Sequence, residues 1–216
     1  MKHLLAFTLL GLVAVGCAIN PATIEVGSSS SKALLVVQVD PIPEKAGVHF
    51  QTFRSDNHQL DQRSAEAGSA YILEKNNRSG SYLVAEVVPG NYVMADISQQ
   101  GHWVLCLHEH TVSFQVKSGQ VLFVGKFNAA PHLAQLQSLA KGNPVSLNAE
   151  TYFYFDNIIP AMILAPSNSD VAALKTHLAE HFSRVSAPIQ VAELKADYFL
   201  TGRDAFRTQR VCGGFY

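Results

Sequence analysis

The chain has 216 residues, of which 15% are charged, and a formal net charge of −1. This length suits one domain, or one domain with an appendage, and the near-neutral charge without a basic cluster argues against nucleic acid as a partner. Hydrophobic residues make up 48% of the chain, which is typical of a globular protein and not of a disordered one.

The amino-terminal residues 1–16 have the pattern of a secretory leader. Lys2 is followed by an apolar run over 4–15 in which Thr8 is the one polar residue. About a dozen apolar residues are too few for a membrane-spanning helix, but they match the hydrophobic region of a signal peptide. Small residues precede Cys17 and give a peptidase access to the backbone. The sequence therefore predicts a signal peptide that is removed before Cys17.

The stretch 13–17, Val-Ala-Val-Gly-Cys, resembles the lipobox of bacterial lipoproteins, with Ala14 where that family usually has leucine. The resemblance implies that Cys17 receives a diacylglyceryl group and that its new amino group is acylated. Two or more acyl chains hold a protein firmly, so membrane lipid is an expected partner. Ala18 resembles the outer-membrane class, which implies an anchor there with the protein facing the periplasm. An ordinary cleaved signal and an uncleaved apolar anchor are the alternatives.

Residues 17–32 have the composition of a flexible linker. They include Pro21, Gly27 and a run of four serines over 28–31. Such a composition favours a tether between the lipidated amino terminus and a folded body. The sequence therefore predicts that the folded domain begins at residue 33.

The segment 33–165 is predicted to be an antiparallel β-sandwich. Short runs of β-branched and aromatic residues alternate with turn signals and contain no long helical pattern. The runs in the first part of this segment are 34–39, 48–53, 71–73, 82–87, 92–97, 103–107, 111–116 and 121–127. Pro89 and Gly90 favour a type II turn that joins 82–87 to a returning strand at 92–97.

Two motifs in this segment are similar to those of known β-sandwiches. They are Pro89-Gly90-x-Tyr92 and Phe114-x-Val116-x-x-Gly119. The segment resembles the prealbumin-like and carboxypeptidase-regulatory-like sandwiches, and a family of small bacterial lipoproteins with a domain of unknown function has the same layout. The resemblance implies a fold and carries over no catalytic residue.

The carboxyl-terminal region 166–216 is predicted to add a helix and a tail, packed on or beside the sandwich. Before it, 131–142 suits a short helix or an ordered loop, and 151–156 suits a strand. Asn168 and Ser169 can cap a helix, in which apolar residues at 171, 174, 178 and 182 line one face. The segments 189–194 and 198–200 are each a short strand or a helical turn.

Only three cysteines are present: Cys17, Cys106 and Cys212. If Cys17 is acylated, two remain, and in an oxidising compartment they can pair. That bridge would close a loop of roughly 100 residues. The sequence leaves open whether Cys106 and Cys212 pair or stay apart, with Cys106 a core residue of an apolar strand.

The first candidate metal ligands are His177 and His181, with Glu180 beside them. The pattern His-x-x-Glu-His matches one class of zinc peptidase, in which two histidines four apart on a helix share a metal and a glutamate activates water. Glu193 is the nearest acidic candidate for a third ligand. The alternative is that both histidines flank the packed face of an ordinary helix.

The second candidates are His108 and His110, with His102 close by. In a strand His108 and His110 would point to the same side, where zinc or copper is the first ion to test. The alternative is ordinary histidines of a surface or hairpin loop. On balance neither a metal site nor any other cofactor is predicted.

No nucleophile elbow, phosphate loop or dinucleotide fingerprint is present in the sequence. The sequence therefore favours a lipid-anchored cell-envelope protein with a binding or structural role over an enzyme. The alternative is a periplasmic metal-binding or metal-dependent hydrolytic protein that uses one of the histidine clusters. Another envelope protein, docked on an exposed sheet edge, is a further possible partner.

Overall fold

The computed structural model describes residues 20–41, 46–61, 69–73, 78–99, 103–142, 153–203 and 210–212. Residues 1–19, which include the leader and Cys17, and His102 lie outside the described residues.

The described residues form many short strands and two α-helices. The strands are β1 Ala33–Asp40, β2 Ala46–Arg54, β3 Gln59–Leu60, β4 Ser69–Leu73, β5 Arg78–Ser79, β6 Tyr82–Val87, β7 Gly90–Gln99, β8 Trp103–Cys106, β9 Thr111–Val116, β10 Val121–Asn128, β11 Phe153–Asp156, β12 Ile163–Leu164, β13 Ile189–Val191, β14 Lys195–Asp197, β15 Gly202–Arg203 and β16 Arg210–Val211. The helices are α1 Ala130–Lys141 and α2 Asn168–His181, and a 3-10 helix covers Pro21–Thr23.

Two sheets carry the fold. The first has the order β12-β10-β1-β6-β5, and β13 also pairs with β10. The second has the order β11-β8-β7-β2-β3. In this second sheet β9 also pairs with β7, β14 pairs with β9, and β4 pairs with β2. Most pairs are antiparallel, but β1 with β10, β10 with β13 and β8 with β11 are parallel. The predicted mainly β sandwich with a helical appendage is confirmed, and its parallel pairs are a detail that the sequence did not indicate.

The main core lies between the two sheets. Leu35 and Val37 of β1 meet Phe50 of β2 and Met94 of β7 there, all fully buried. The other side of β1 is also buried, where Leu34 and its neighbours pack under α2. Because a strand covered on both faces needs apolar residues at every position, the run Leu-Leu-Val-Val marks β1 as a central strand.

The predicted turn at Pro89 and Gly90 is wrong in its type and in the pairing that it implies. β6 belongs to the first sheet and β7 to the second, so the chain crosses between sheets here and β7 does not return beside β6. Gly90 opens β7 opposite Val116. The described glycines with a positive φ are Gly80, Gly119 and Gly125, so Gly90 does not supply the conformation that a type II turn requires.

The N-cap of helix α2 lies one residue before the predicted cap at Asn168 and Ser169. Ser167 is the N-cap, its hydroxyl accepts from the amide of Asp170, and the Asp170 carboxylate accepts from the Ser167 amide in return. The Ser167 hydroxyl and amide both donate to this carboxylate, and with a bond from Lys126 they lower the pKa of Asp170 to about 2. Of the two alternatives predicted for 131–142, a helix or an ordered loop, the structure has the helix, α1. The segment 198–200, predicted as a short strand or helical turn, is neither, because β14 ends at Asp197.

Residues 20–32 are part of the folded body, which differs from the predicted tether. Ile24 and Val26 are buried against α2 in the outer cluster of the first sheet, and the Val26 carbonyl accepts from the amides of Ser186 and Ala187. Farther on, the amide of Gly119 donates to the carbonyl of Lys32. The chain therefore packs on the body from Ile24 onward, and the serine-rich stretch is a turn on its surface.

Candidate functional site

A groove of about 450 Å³ lies along one side of the sandwich. Here the chain leaves β13 in the first sheet and enters β14 in the second, so the segment 192–194 bridges the gap between the sheets. β14 pairs with β9, and the end of β9 forms another wall of the groove. The groove therefore exists because one chain segment closes an open side of the sandwich without filling it.

Polar side chains dominate the lining of this groove. Amides and hydroxyls from several strands and turns contribute, and the charges are balanced, with two lysines and two carboxylates. These residues are Ser55, Asn91, Ser113, Gln115, Lys117, Gln120, Gln190, Glu193, Lys195 and Asp197. The lining can therefore offer both hydrogen-bond donors and acceptors without a strong net field.

The remaining lining residues are apolar, and two of them, Phe114 and Leu122, belong to the main core. Phe114 and Leu122 are each under 5% exposed, and Phe114 stacks on Tyr92 with ring centroids 6.2 Å apart. The Tyr92 hydroxyl donates to the carbonyl of Val88 at 2.8 Å, and burial raises the pKa of Tyr92 to about 12. Phe114 therefore presents part of the packed main core to the groove.

Few features of the sequence indicate this groove. Ser113, Gln115 and Lys117 alternate with apolar residues in and just beyond β9, which indicates one solvent-facing side of a strand. The other walls come from residues far away in the chain. No short motif marks such a site, because the β13-to-β14 crossing brings its parts together.

Cys106 and Cys212 are joined by a disulfide, with their Cα atoms 5.4 Å apart. This pairing is one of the two alternatives that the sequence left open. Cys212 packs against an outer cluster of the second sheet that includes Phe53, Val93 and Phe199. The bond therefore fixes the described end of the chain, 210–212, to the outer face of β8.

His108 and His110 lie in the turn between β8 and β9 and not in a strand, so the predicted same-side arrangement does not apply. His108 is 7% exposed, and its Nε2 atom lies 3.0 Å from Oδ1 of Asp156. The backbone of His110 holds the turn, because its amide donates to Leu107 and its carbonyl accepts from Ala161. Asp156 is therefore a partner of His108 in this turn.

His177 and His181 are adjacent on α2, with ring centroids 4.5 Å apart. The Nε2 atom of His177 lies 2.8 Å from the hydroxyl of Ser79, and burial, helped by His181, lowers the pKa of His177. The neutral ring can therefore accept the proton of Ser79. Glu193 lines the groove instead. Within the described ranges, no three His, Cys, Asp or Glu side chains are grouped closely enough to hold a metal ion.

His132 is a buried histidine that sequence reasoning did not single out. It is fully buried in α1, and its Nδ1 atom lies 3.1 Å from Oδ1 of Asn157. Its Nε2 atom accepts from the amide of Met162 at 3.4 Å. The neutral tautomer with a proton on Nδ1 satisfies both contacts, and burial lowers the pKa of His132.

We expect the free energy of unfolding to fall as the pH is lowered below 6.5. The pKa values of His132 and His177 are lowered from 6.5 in the folded protein, so the unfolded chain takes up protons first and acid favours it. Urea unfolding at several pH values gives the free energy of unfolding as a function of pH. This free energy should fall less steeply with decreasing pH for His132→Gln than for the wild type. Equal slopes would contradict the assignment of His132.

Comparison with family models, with curated proteins and with solved structures finds no match to this chain. In the part of the chain that the structure describes, no helix combines the length and the apolar character needed to span a membrane.

Proposed function

We propose that this protein is a lipid-anchored binding module of a bacterial cell envelope that faces the periplasm from the outer membrane. The observation that carries the binding role is the groove between the sheets, with its volume of about 450 Å³. Ligand pockets commonly measure about 300 to 1,000 Å³. A cleft of this size therefore suits a small ligand or the end of a longer polymer.

The chemistry of the groove favours a neutral ligand rich in hydroxyl groups, and we name saccharides as its class. Gln115 and Gln190 are exposed amides that both donate and accept, as a sugar hydroxyl requires. Lys117 and Lys195 are balanced by Glu193 and Asp197, so neither an anionic nor a cationic ligand is preferred overall. Carboxylates and ammonium groups also bind hydroxyls through charge-assisted hydrogen bonds.

The anchor is supported by the residues of the leader. The apolar run, the small residues and Cys17 follow one another as in bacterial lipoproteins. Acylation at Cys17 by two or more chains would hold the protein stably at a membrane. The proposed binding groove would then act at a fixed place in the envelope.

Neutral oligosaccharides of glucose and of N-acetylglucosamine are the probes for the groove. We expect one of these series to bind the detergent-solubilised protein in calorimetry. Gln115→Ala should weaken that binding about fivefold, because a neutral hydrogen bond contributes on the order of 1 kcal/mol.

Gln137→Ala is the matched control, since Gln137 is an exposed amide on α1 outside the groove lining. The affinity of Gln137→Ala for the oligosaccharide should equal that of the wild type. Absence of binding by both series, or equal losses in the two variants, would contradict a saccharide site in this groove.

A further inference from the structure

We propose that the folded body lies directly against the lipid bilayer, with the surface around residues 20–25 facing the headgroups. This inference rests on the proposed acylation of Cys17. Its structural basis is the ordered segment 20–32, which shortens the connection between the anchor and the body.

The order of this segment comes from contacts with the body over 24–32 and from local hydrogen bonds within the 3-10 helix before it. Val26 is fully buried and pairs with Val185 as an isolated bridge. Glu25 makes an ion pair with Arg184, and Lys32 makes another with Glu86 on β6. Because 24–32 is held by these contacts, it cannot extend as a free linker while the body stays folded.

The reach of the remaining chain follows from its covalent length. Cys17 and Asn20 are three residues apart, and three extended residues span at most about 11 Å. A flexible tether over all of 17–32 would give a root-mean-square reach of roughly 20 Å. With an acylated Cys17 at the membrane surface, Asn20 at the start of the 3-10 helix therefore stays within about 11 Å of the headgroups.

The surface at this end of the chain suits zwitterionic headgroups. Asn20, Ala22 and Thr23 are exposed and uncharged, and the neighbouring charges of Glu25 and Arg184 neutralise each other. A membrane contact driven by anionic lipid needs clustered lysines or arginines, and this surface offers one paired arginine. The contact is therefore set by the short connection, and we expect it to be insensitive to salt.

Two exposed positions can report on this arrangement. Thr23 adjoins Ile24, which packs in the cluster outside the first sheet, whereas Asp56 lies in the turn after β2 of the second sheet. Two packed sheets are about 10 Å apart, and the helix layer over the first sheet adds about 10 Å more. A label at residue 23 should therefore be near the lipid and a label at residue 56 far from it.

The test uses the full-length lipidated protein in phosphatidylcholine vesicles that contain a lipid with a nitroxide on its headgroup. A fluorophore is attached to Thr23→Cys or to Asp56→Cys. We expect quenching to be several-fold stronger at residue 23 than at residue 56, and unchanged when the salt concentration is raised. Equal, weak quenching at both positions of a protein that floats with the vesicles would overturn the proposal.

An insertion distinguishes the effect of the short connection from an affinity of the folded body for the lipid surface. About twelve Gly and Ser residues placed between Ile19 and Asn20 add roughly 20 Å of reach. Quenching at residue 23 should then fall to the level at residue 56, while flotation persists. Unchanged quenching would overturn the role of the short connection. Loss of flotation in the parent protein, with no acyl mass on Cys17, would instead show that the proposed anchor fails.

Discussion

The double variant C106A/C212A is expected to unfold with a free energy about 4 kcal/mol lower than that of the wild type. The disulfide joins residues 106 positions apart in the sequence. In the chain-entropy model, a cross-link of this span removes a large part of the conformational freedom of the unfolded chain. Urea unfolding followed by the fluorescence of Trp103 measures the difference.

The disulfide also holds a local contact that the double variant should release. Cys212 packs beside Val93 and Phe199 on the outer face of the second sheet, and its Sγ atom lies 3.2 Å from the carbonyl oxygen of Ala95. Hydrogen exchange should therefore rise at 210–212 before the β-sandwich opens. Reduction of the wild type with dithiothreitol is the control and should reproduce the loss. A change below about 1 kcal/mol in both experiments would contradict a stabilising cross-link.

The variant Gly119→Ala is expected to lower the free energy of unfolding by about 3 kcal/mol. Gly119 has a φ of +66°, and a Cβ atom there would lie 2.2 Å from the carbonyl oxygen of Ser28. An alanine therefore meets an unfavourable backbone conformation and a backbone atom that must move. The movement would also disturb the bond from the Gly119 amide to the Lys32 carbonyl.

Gly142→Ala is the matched control for that variant. Gly142 follows α1, and a Cβ atom there would meet its nearest neighbours at 3.6 and 3.7 Å, which is ordinary contact. Thermal unfolding of this variant should stay within about 0.5 kcal/mol of the wild type. If Gly119→Ala were equally mild, the segment 20–32 would not be fixed to the turn at Gly119 as described.

Much of the strand content could be predicted because the local pattern determines it. The runs at β6 and β9 match the predicted bounds 82–87 and 111–116, since the β-branched and aromatic content of a run and its flanking turn residues act over a few residues. The partner of each strand depends on distant contacts. Pro89 shows the difference, because a proline and a glycine between two strands are as compatible with a crossing between sheets as with a hairpin.

The segment 20–32 was predicted as a tether because composition outweighed two apolar positions. Serine favours linkers, but it also favours turns, and Ser30 accepts from the amide of Gly27 in such a turn. Ile24 and Val26 alternate with exposed residues, which is the pattern of a strand with one buried face. That signal was present, but it covered too few residues to indicate what they pack against.

The groove and the disulfide differ from the strands in how they arise. Cys106 and Cys212 could be named as a possible pair, because few cysteines remain once Cys17 is assigned to the lipid anchor. The groove residues Gln115, Gln190 and Lys195 carry no spacing that distinguishes them from ordinary surface residues. Their proximity results from the tertiary fold alone.

The central claim is that Cys17 carries the lipid that anchors this protein, and metabolic labelling with an alkyne fatty acid tests it most directly. Cells expressing the wild type or Cys17→Ala are labelled, the protein is purified, and its incorporated label and intact mass are compared. We expect label and acyl mass on a wild-type chain that begins at Cys17, and neither on the variant. An unlabelled wild type, or label that persists in Cys17→Ala, would contradict it.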